Sequence, residues 1–135
     1  MSPTHENIPS LQYGTALVLV GPQACGKSTL ARELAERFGS YAEIDVDLMG
    51  ARFDFASVLR QRPQTIIIEG APSTERQFVL IKELLTNPAT LVSAKHGEAI
   101  EVPRPHVIIC THEEALTDRI TVSRRFNVFL MPVVV

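Results

Sequence analysis

Five apolar residues, Ala16-Leu17-Val18-Leu19-Val20, run straight into Gly21-Pro22-Gln23-Ala24-Cys25-Gly26-Lys27-Ser28-Thr29. The second stretch has the form G-x-x-x-x-G-K-[ST]. It stands where that form requires, after a continuous apolar run and before a helical pattern. This pairing constrains the fold more than any other feature of the chain. A buried strand must deliver the loop to a helix N-terminus, where backbone N–H groups and the helix dipole can surround phosphate oxygens. Lys27 can then reach the β- and γ-phosphates, and the Ser28 hydroxyl can ligate Mg²⁺. Gly21 to Thr29 are therefore the expected site for ATP, with Mg²⁺ as its accompanying ion.

The rest of the chain repeats the alternation of short apolar runs with helical patterns, which argues for buried parallel strands joined by crossover helices. After a first strand over Thr15 to Val20, Leu30, Ala31, Leu34, Ala35 and Phe38 fall on one helix face, which ends at Gly39. Strands are expected over Tyr41 to Val46 and Thr65 to Glu69, with a weak helix over Phe53 to Arg60 between them. Thr74-x-x-Gln77 has the form of a capping box and opens a helix with Phe78, Ile81, Leu84 and Leu85 inward. Thr90 to Ser93 and Ala99 to Val102 flank Lys95-His96-Gly97 as a hairpin. A strand over His106 to Cys110, a short helix from Glu113 and a last strand over Asn127 to Met131 complete the pattern. The expected fold is a three-layer α/β P-loop domain with a mostly parallel five-stranded sheet and an inserted hairpin. Residues 1–14 read as an N-terminal extension and 15–135 as the core.

Composition narrows the function classes. At 135 residues there is material for one domain, with 45% hydrophobic and 21% charged residues. A net charge of −2 excludes a broadly basic surface, so any nucleic-acid contact must be local. The two cysteines, Cys25 and Cys110, offer no disulfide framework and favour a reducing compartment. No apolar run approaches the ~20 residues of a membrane span, and MSPTHENIPS lacks the pattern of a signal peptide.

Residue chemistry alone leaves two enzymatic uses of the triphosphate open. Asp45 and Asp47 close the second strand, where carboxylates can bind Mg²⁺ or a substrate hydroxyl. Ile68-Glu69-Gly70-Ala71-Pro72 is similar to a stretch of nucleoside-monophosphate kinases, which points to a small-molecule kinase. No arginine-rich lid follows it. A basic-tipped hairpin and a buried strand take its place.

The order phosphate loop, acidic strand, helix, basic hairpin, polar-ended strand and arginines before a final strand resembles the core of superfamily 3 helicases. These are a branch of the AAA+ ATPases found in small DNA viruses, phages and mobile elements. The resemblance covers about Thr15 to Pro132 and implies a ring-forming, DNA-replication ATPase. Glu69 would act on water or Mg²⁺, and Thr111 with His112 would be the sensor beside the γ-phosphate. Arg124 or Arg125 would reach a neighbouring subunit's site, and Lys95 with His96 would contact single-stranded DNA. It further implies a homo-oligomer, a hexameric ring, perhaps served by separate replication proteins, with no membrane partner. The compartment would be the cytoplasm of a bacterial or infected cell, or the nucleus for a eukaryotic virus.

Two stations depart from the family's pattern. Gly70 stands where a second acid usually follows, so Glu69 is alone unless Asp45 or Asp47 assists. His112 replaces the usual asparagine. A third reading, a nucleotide-dependent scaffold with weak catalysis, rests on these departures. The strand order separates the readings: a strand inserted between those carrying the phosphate loop and Glu69 fits the motor family, and direct adjacency fits the kinases.

Overall fold

The structure is a computed structural model that describes residues 10–22, 25–49, 52–93 and 98–132. Five strands form the main sheet: β1 (Ala16–Val20), β2 (Tyr41–Asp45), β3 (Thr65–Glu69), β6 (His106–Thr111) and β7 (Phe126–Leu130). Their order is β2-β3-β6-β1-β7, and every pairing is parallel. The remaining strands, β4 (Ala89–Ser93) and β5 (Ala99–Pro103), make a separate antiparallel hairpin just before β6. The inserted strand expected of the motor family is therefore present: β6 lies between β1 and β3.

Strand composition explains this placement. β1 and β6 are buried along their whole length, as are the first four residues of β3. Strands covered on both faces need helices on both sides. Helix α1 (Lys27–Glu36) covers one face, where Ala31, Leu34 and Ala35 meet Leu17, Leu19, Ile67 and Ile108. The other face packs on α2 (Arg52–Arg60), α3 (Glu75–Thr86), the hairpin and the short α4 (Asp118–Thr121). There Ile81, Ile66, Ile68 and Ile109 are wholly buried. Burial of each such side chain contributes about 1.5–3 kcal/mol.

The capping box of α3 forms as expected. Gln77 N–H donates to Thr74 Oγ1 at 3.2 Å, and Gln77 Oε1 accepts from Thr74 N–H at 3.1 Å. The buried amide of Gln77 also donates to Val46 O at 3.1 Å, tying α3 to the end of β2.

Three local expectations shift. Phe38 is 45% exposed rather than core, because α1 stops at Glu36; its ring lies 4.4 Å from that of His106. β2 ends at Asp45, whose carboxylate accepts from Asp47 N–H at 2.9 Å and turns Val46–Leu48 into a 3₁₀ turn. The helix expected from Glu113 splits into a 3₁₀ turn, Glu113–Ala115, and α4. Leu116 and Thr117 are extended between them.

Candidate nucleotide site

The phosphate loop leaves the buried end of β1, and its first residue is pinned to the next strand: Gly21 N–H donates to Thr111 O at 3.1 Å. The loop closes at Gly26, which has φ +91° and carries the chain into α1. A side chain there would strain a left-handed turn that glycine adopts freely. Gln23 and Ala24 lie outside the described residues. Thr29 is exposed in the first turn of α1, and the Cys25 thiol is half-buried. The Lys27 ammonium donates to Gly21 O and, at 3.3 Å, to Pro22 O. Without a ligand, the lysine thus satisfies carbonyls of its own loop.

Ser28 projects from the same turn toward β3, and its hydroxyl donates to Glu69 Oε1 at 3.4 Å. Two strands separate these residues' elements in order, yet the sheet's twist and the α1 crossover bring them together. Among the described residues, no cluster of three or more His, Cys, Asp or Glu could form a metal cage. The donor set suits Mg²⁺, a hard ion that keeps waters and is held mainly by phosphate oxygens with one or two protein oxygens. Ser28 and Glu69 would be those oxygens.

The lone acid has a steric cause. Gly70 has φ +101°, and a Cβ there would come within 2.7 Å of Val46 Cγ1. A second carboxylate cannot occupy that position without moving the end of β2. Asp45 instead pairs in register with Glu69 on the neighbouring strand. Alternation places Asp45, Glu69 and Glu43 on the face that carries α1, where Glu43 Oε1 accepts from Arg32 Nε at 3.0 Å. Asp45 is exposed and occupied with Asp47 N–H; Asp47 is exposed in the 3₁₀ turn.

Thr111 ends β6 beside Val20. Its Oγ1 is buried and has no hydrogen-bond partner among the described residues, which leaves one polar atom at the site unanswered. The neighbouring Cys110 thiol is pushed up to about 12 by burial, with Glu69 adding to the shift. His112 is exposed, and its Nδ1 pairs with Glu114 Oε2 at 2.9 Å. Glu114 is held below the usual carboxylate range, first by its own backbone N–H and then by His112. A cleft of about 430 Å³ opens here, between Pro22, His112, Glu113, Glu114, Leu130 and Met131.

Arg124 and Arg125 are exposed at the opposite edge of the sheet. Ala16 N–H donates to Arg125 O at 2.7 Å, so these arginines sit at the start of β1, five strand residues from the phosphate loop. At about 3.3 Å per residue that is about 16 Å, beyond reach of the same subunit's phosphates. Lys95 and His96 lie outside the described residues; the strands that flank them, β4 and β5, pack on α2 and α3 through Val92 and Val102.

No protein-family model matches the chain. Among curated proteins it is similar to the tRNA dimethylallyltransferase of Rhizobium etli (strain CIAT 652), 40% identical over 67 residues. That match covers 50% of this chain and 21% of the relative. The tRNA dimethylallyltransferase of Rhizobium leguminosarum bv. trifolii (strain WSM2304) is 42% identical over 57 residues, 42% of this chain and 18% of the relative. The chain thus spans about a fifth of the length of these proteins. Among solved structures, the apo C-terminal region of NrS-1 superposes with a TM-score of 0.64 at 21% identity, over 87% of this chain and 29% of that one. The JCV helicase, bound to a thiazolopyridine acetamide, superposes with a TM-score of 0.63 at 18% identity, over 91% of this chain and 37% of that one. The fold is that of a superfamily 3 helicase-like core.

Within this helicase-like core, sequence reasoning missed three contributors. Glu114 escaped because its partnership with His112 depends on a 3₁₀ turn. Leu130 and Met131 read as ordinary strand residues, although the parallel register of β7 with β1 sets them beside the loop. Among the described residues, no helix is long and apolar enough to cross a membrane.

Proposed function

We propose that the chain is the motor core of a ring-forming ATPase acting on single-stranded or replicating DNA. The observation that carries this is the meeting of Ser28 and Glu69 across a sheet in which β6 separates their strands. The loop and α1 would hold the triphosphate, with Lys27 turning from Gly21 O and Pro22 O to the β- and γ-phosphates. Mg²⁺, held by Ser28, phosphates and water, would neutralise charge on the transferring group. Glu69 would accept a proton from a water whose oxygen attacks the γ-phosphorus; the bridging oxygen leaves with ADP. The orphaned Thr111 hydroxyl would hydrogen-bond that water or the γ-phosphate. Arg124 or Arg125 would complete a neighbour's site, as their position on the far edge requires for any catalytic part. Lys95 and His96, at the hairpin tip, would track the strand of DNA.

The test combines turnover with assembly. Glu69→Gln keeps the side chain's shape but not its basicity, so ATP should bind while turnover falls by about 10²–10⁴. Wild-type turnover should rise with protein concentration as light scattering reports a multimer. Mixing Lys27→Ala with an Arg124→Ala/Arg125→Ala protein should restore part of the activity that each lacks. A monomer with full, concentration-independent activity would refute the reading.

A second reading, transfer of a group to a small molecule or RNA, draws on the partial identity with the tRNA dimethylallyltransferases. Asp45, in register with Glu69, would then hold the acceptor. The order β3-β6-β1 favours the motor.

A further inference from the structure

The cleft of about 430 Å³ beside the phosphate loop has a character that the phosphates cannot use. One wall is apolar. Leu130 closes the edge strand β7 and is 60% exposed, and Met131 follows it, half-buried, with its N–H donating to Val20 O at 2.7 Å. Pro22, at the start of the loop, belongs to the same lining. The other wall carries Glu113 and Glu114, which when ionised only accept hydrogen bonds and repel anions. His112 is fastened to this wall through Glu114.

The cations and free N–H groups of the site lie on the loop and α1, so a triphosphate has its anionic end specified there. Its uncharged end needs an apolar surface for a flat ring and acceptors for hydroxyl donors. The cleft adjoins Gly21 and Pro22 and supplies both, in a volume within the usual range for small-ligand sites.

We propose that this cleft seats the nucleoside of the bound triphosphate, with the base against Leu130 and Met131 and the ribose hydroxyls donating to Glu113 and Glu114. His112 then serves the nucleoside side rather than the attacking water, which accounts for its departure from the sensor asparagine. The inference rests on the phosphate-loop reading above and deepens it.

The experiment compares ATP with inorganic tripolyphosphate, both with Mg²⁺, by calorimetric titration of the full chain. Three proteins are used beside wild type: Leu130→Asp, Glu113→Ala/Glu114→Ala and Lys27→Ala. Leu130, Glu113 and Glu114 are all exposed, so these variants should keep the wild-type melting temperature to within a few degrees. Wild type should bind ATP more tightly than tripolyphosphate. Leu130→Asp should lower ATP affinity about tenfold or more and leave tripolyphosphate affinity unchanged. The double alanine variant should lose discrimination between ATP and 2′-deoxy-ATP. Lys27→Ala should weaken both ligands. Equal wild-type affinities for the two ligands, or cleft variants that change ATP binding no more than tripolyphosphate binding, would overturn the proposal. If Lys27→Ala leaves tripolyphosphate binding intact, the phosphate-loop reading itself has failed, and the nucleoside site falls with it.

Discussion

Lys27→Ala separates the lysine's two duties, and the structure gives a size to each. In the free protein its ammonium donates to Gly21 O and to Pro22 O, the second at 3.3 Å and exposed. Hydrogen bonds to charged groups contribute about 1.5–3 kcal/mol when protected. Water competes for both of these, so about 1 kcal/mol for the pair is the reasonable figure. For a domain of this size that corresponds to a melting temperature lower by about 3 °C. In the complex the same ammonium exchanges those carbonyls for phosphate oxygens, a charge-assisted contact worth about 3 kcal/mol. The exchange leaves a net of about 2 kcal/mol, or about thirtyfold in affinity. Calorimetric titration with Mg·ATP and a thermal scan measure the two effects on one sample. An affinity within threefold of wild type would show that Lys27 does not face the triphosphate. A melting temperature lower by 10 °C would show that the loop depends on the lysine far more than its two contacts explain.

Three further outcomes follow from particular side chains. Lys95→Ala should weaken single-stranded DNA binding and reduce the salt slope by about 0.7, one phosphate contact, as read by fluorescence anisotropy at several salt concentrations; an unchanged slope would remove the hairpin tip from the DNA path. Cys110, buried and with its thiol pushed up to about 12, should resist iodoacetamide at pH 8 in the folded protein and react fully in urea, whereas half-buried Cys25 should react in both, by peptide mass mapping. His106 is held below its usual value, first by burial and then by Arg104. The unfolded chain therefore binds more protons just below pH 6.5, so stability should fall as pH drops through that range. His106→Phe keeps a ring against Tyr13, 4.1 Å away, and removes a buried Nδ1 that lacks a partner, so the variant should lose this pH dependence in denaturant titrations.

Where periodicity was strong, the sequence was a reliable guide. Thr65–Glu69 forms the strand that its run of isoleucines demands, and Thr74 with Gln77 forms the capping box that its spacing announces. The core face of α3 follows the same logic. Phe38 misled because hydrophobic spacing continues past the point where α1 ends, and a ring can find a partner in His106 as well as in the core. The end of β2 was decided by a single carboxylate turning back on Asp47 N–H, a choice that no periodicity records. At the site, Ser28 and Glu69 were legible as separate stations, but their 3.4 Å contact depends on strand order. Strand order was equally needed to place Arg125 at the far edge and Leu130 beside the loop. The absence of a second acid could be seen in the sequence. Its cause, Val46 pressing on Gly70, required the packing.

β6 has a mechanical consequence. One end carries Thr111 at the loop, and the other is reached from the hairpin through only Arg104 and Pro105. All six of its residues are buried, and neighbouring strands bond it on both sides. Such a strand cannot slide along its axis without breaking two ladders at once, so it behaves as a rod about 20 Å long. The joint at its far end is short and pinned, with Arg104 N–H on Pro88 O at 3.1 Å and His106 N–H on Gln64 O at 2.9 Å. A push at the loop therefore arrives at the base of the hairpin as rotation of one stiff body, and the leverage is set by the length of β4 and β5 rather than by any softness in between.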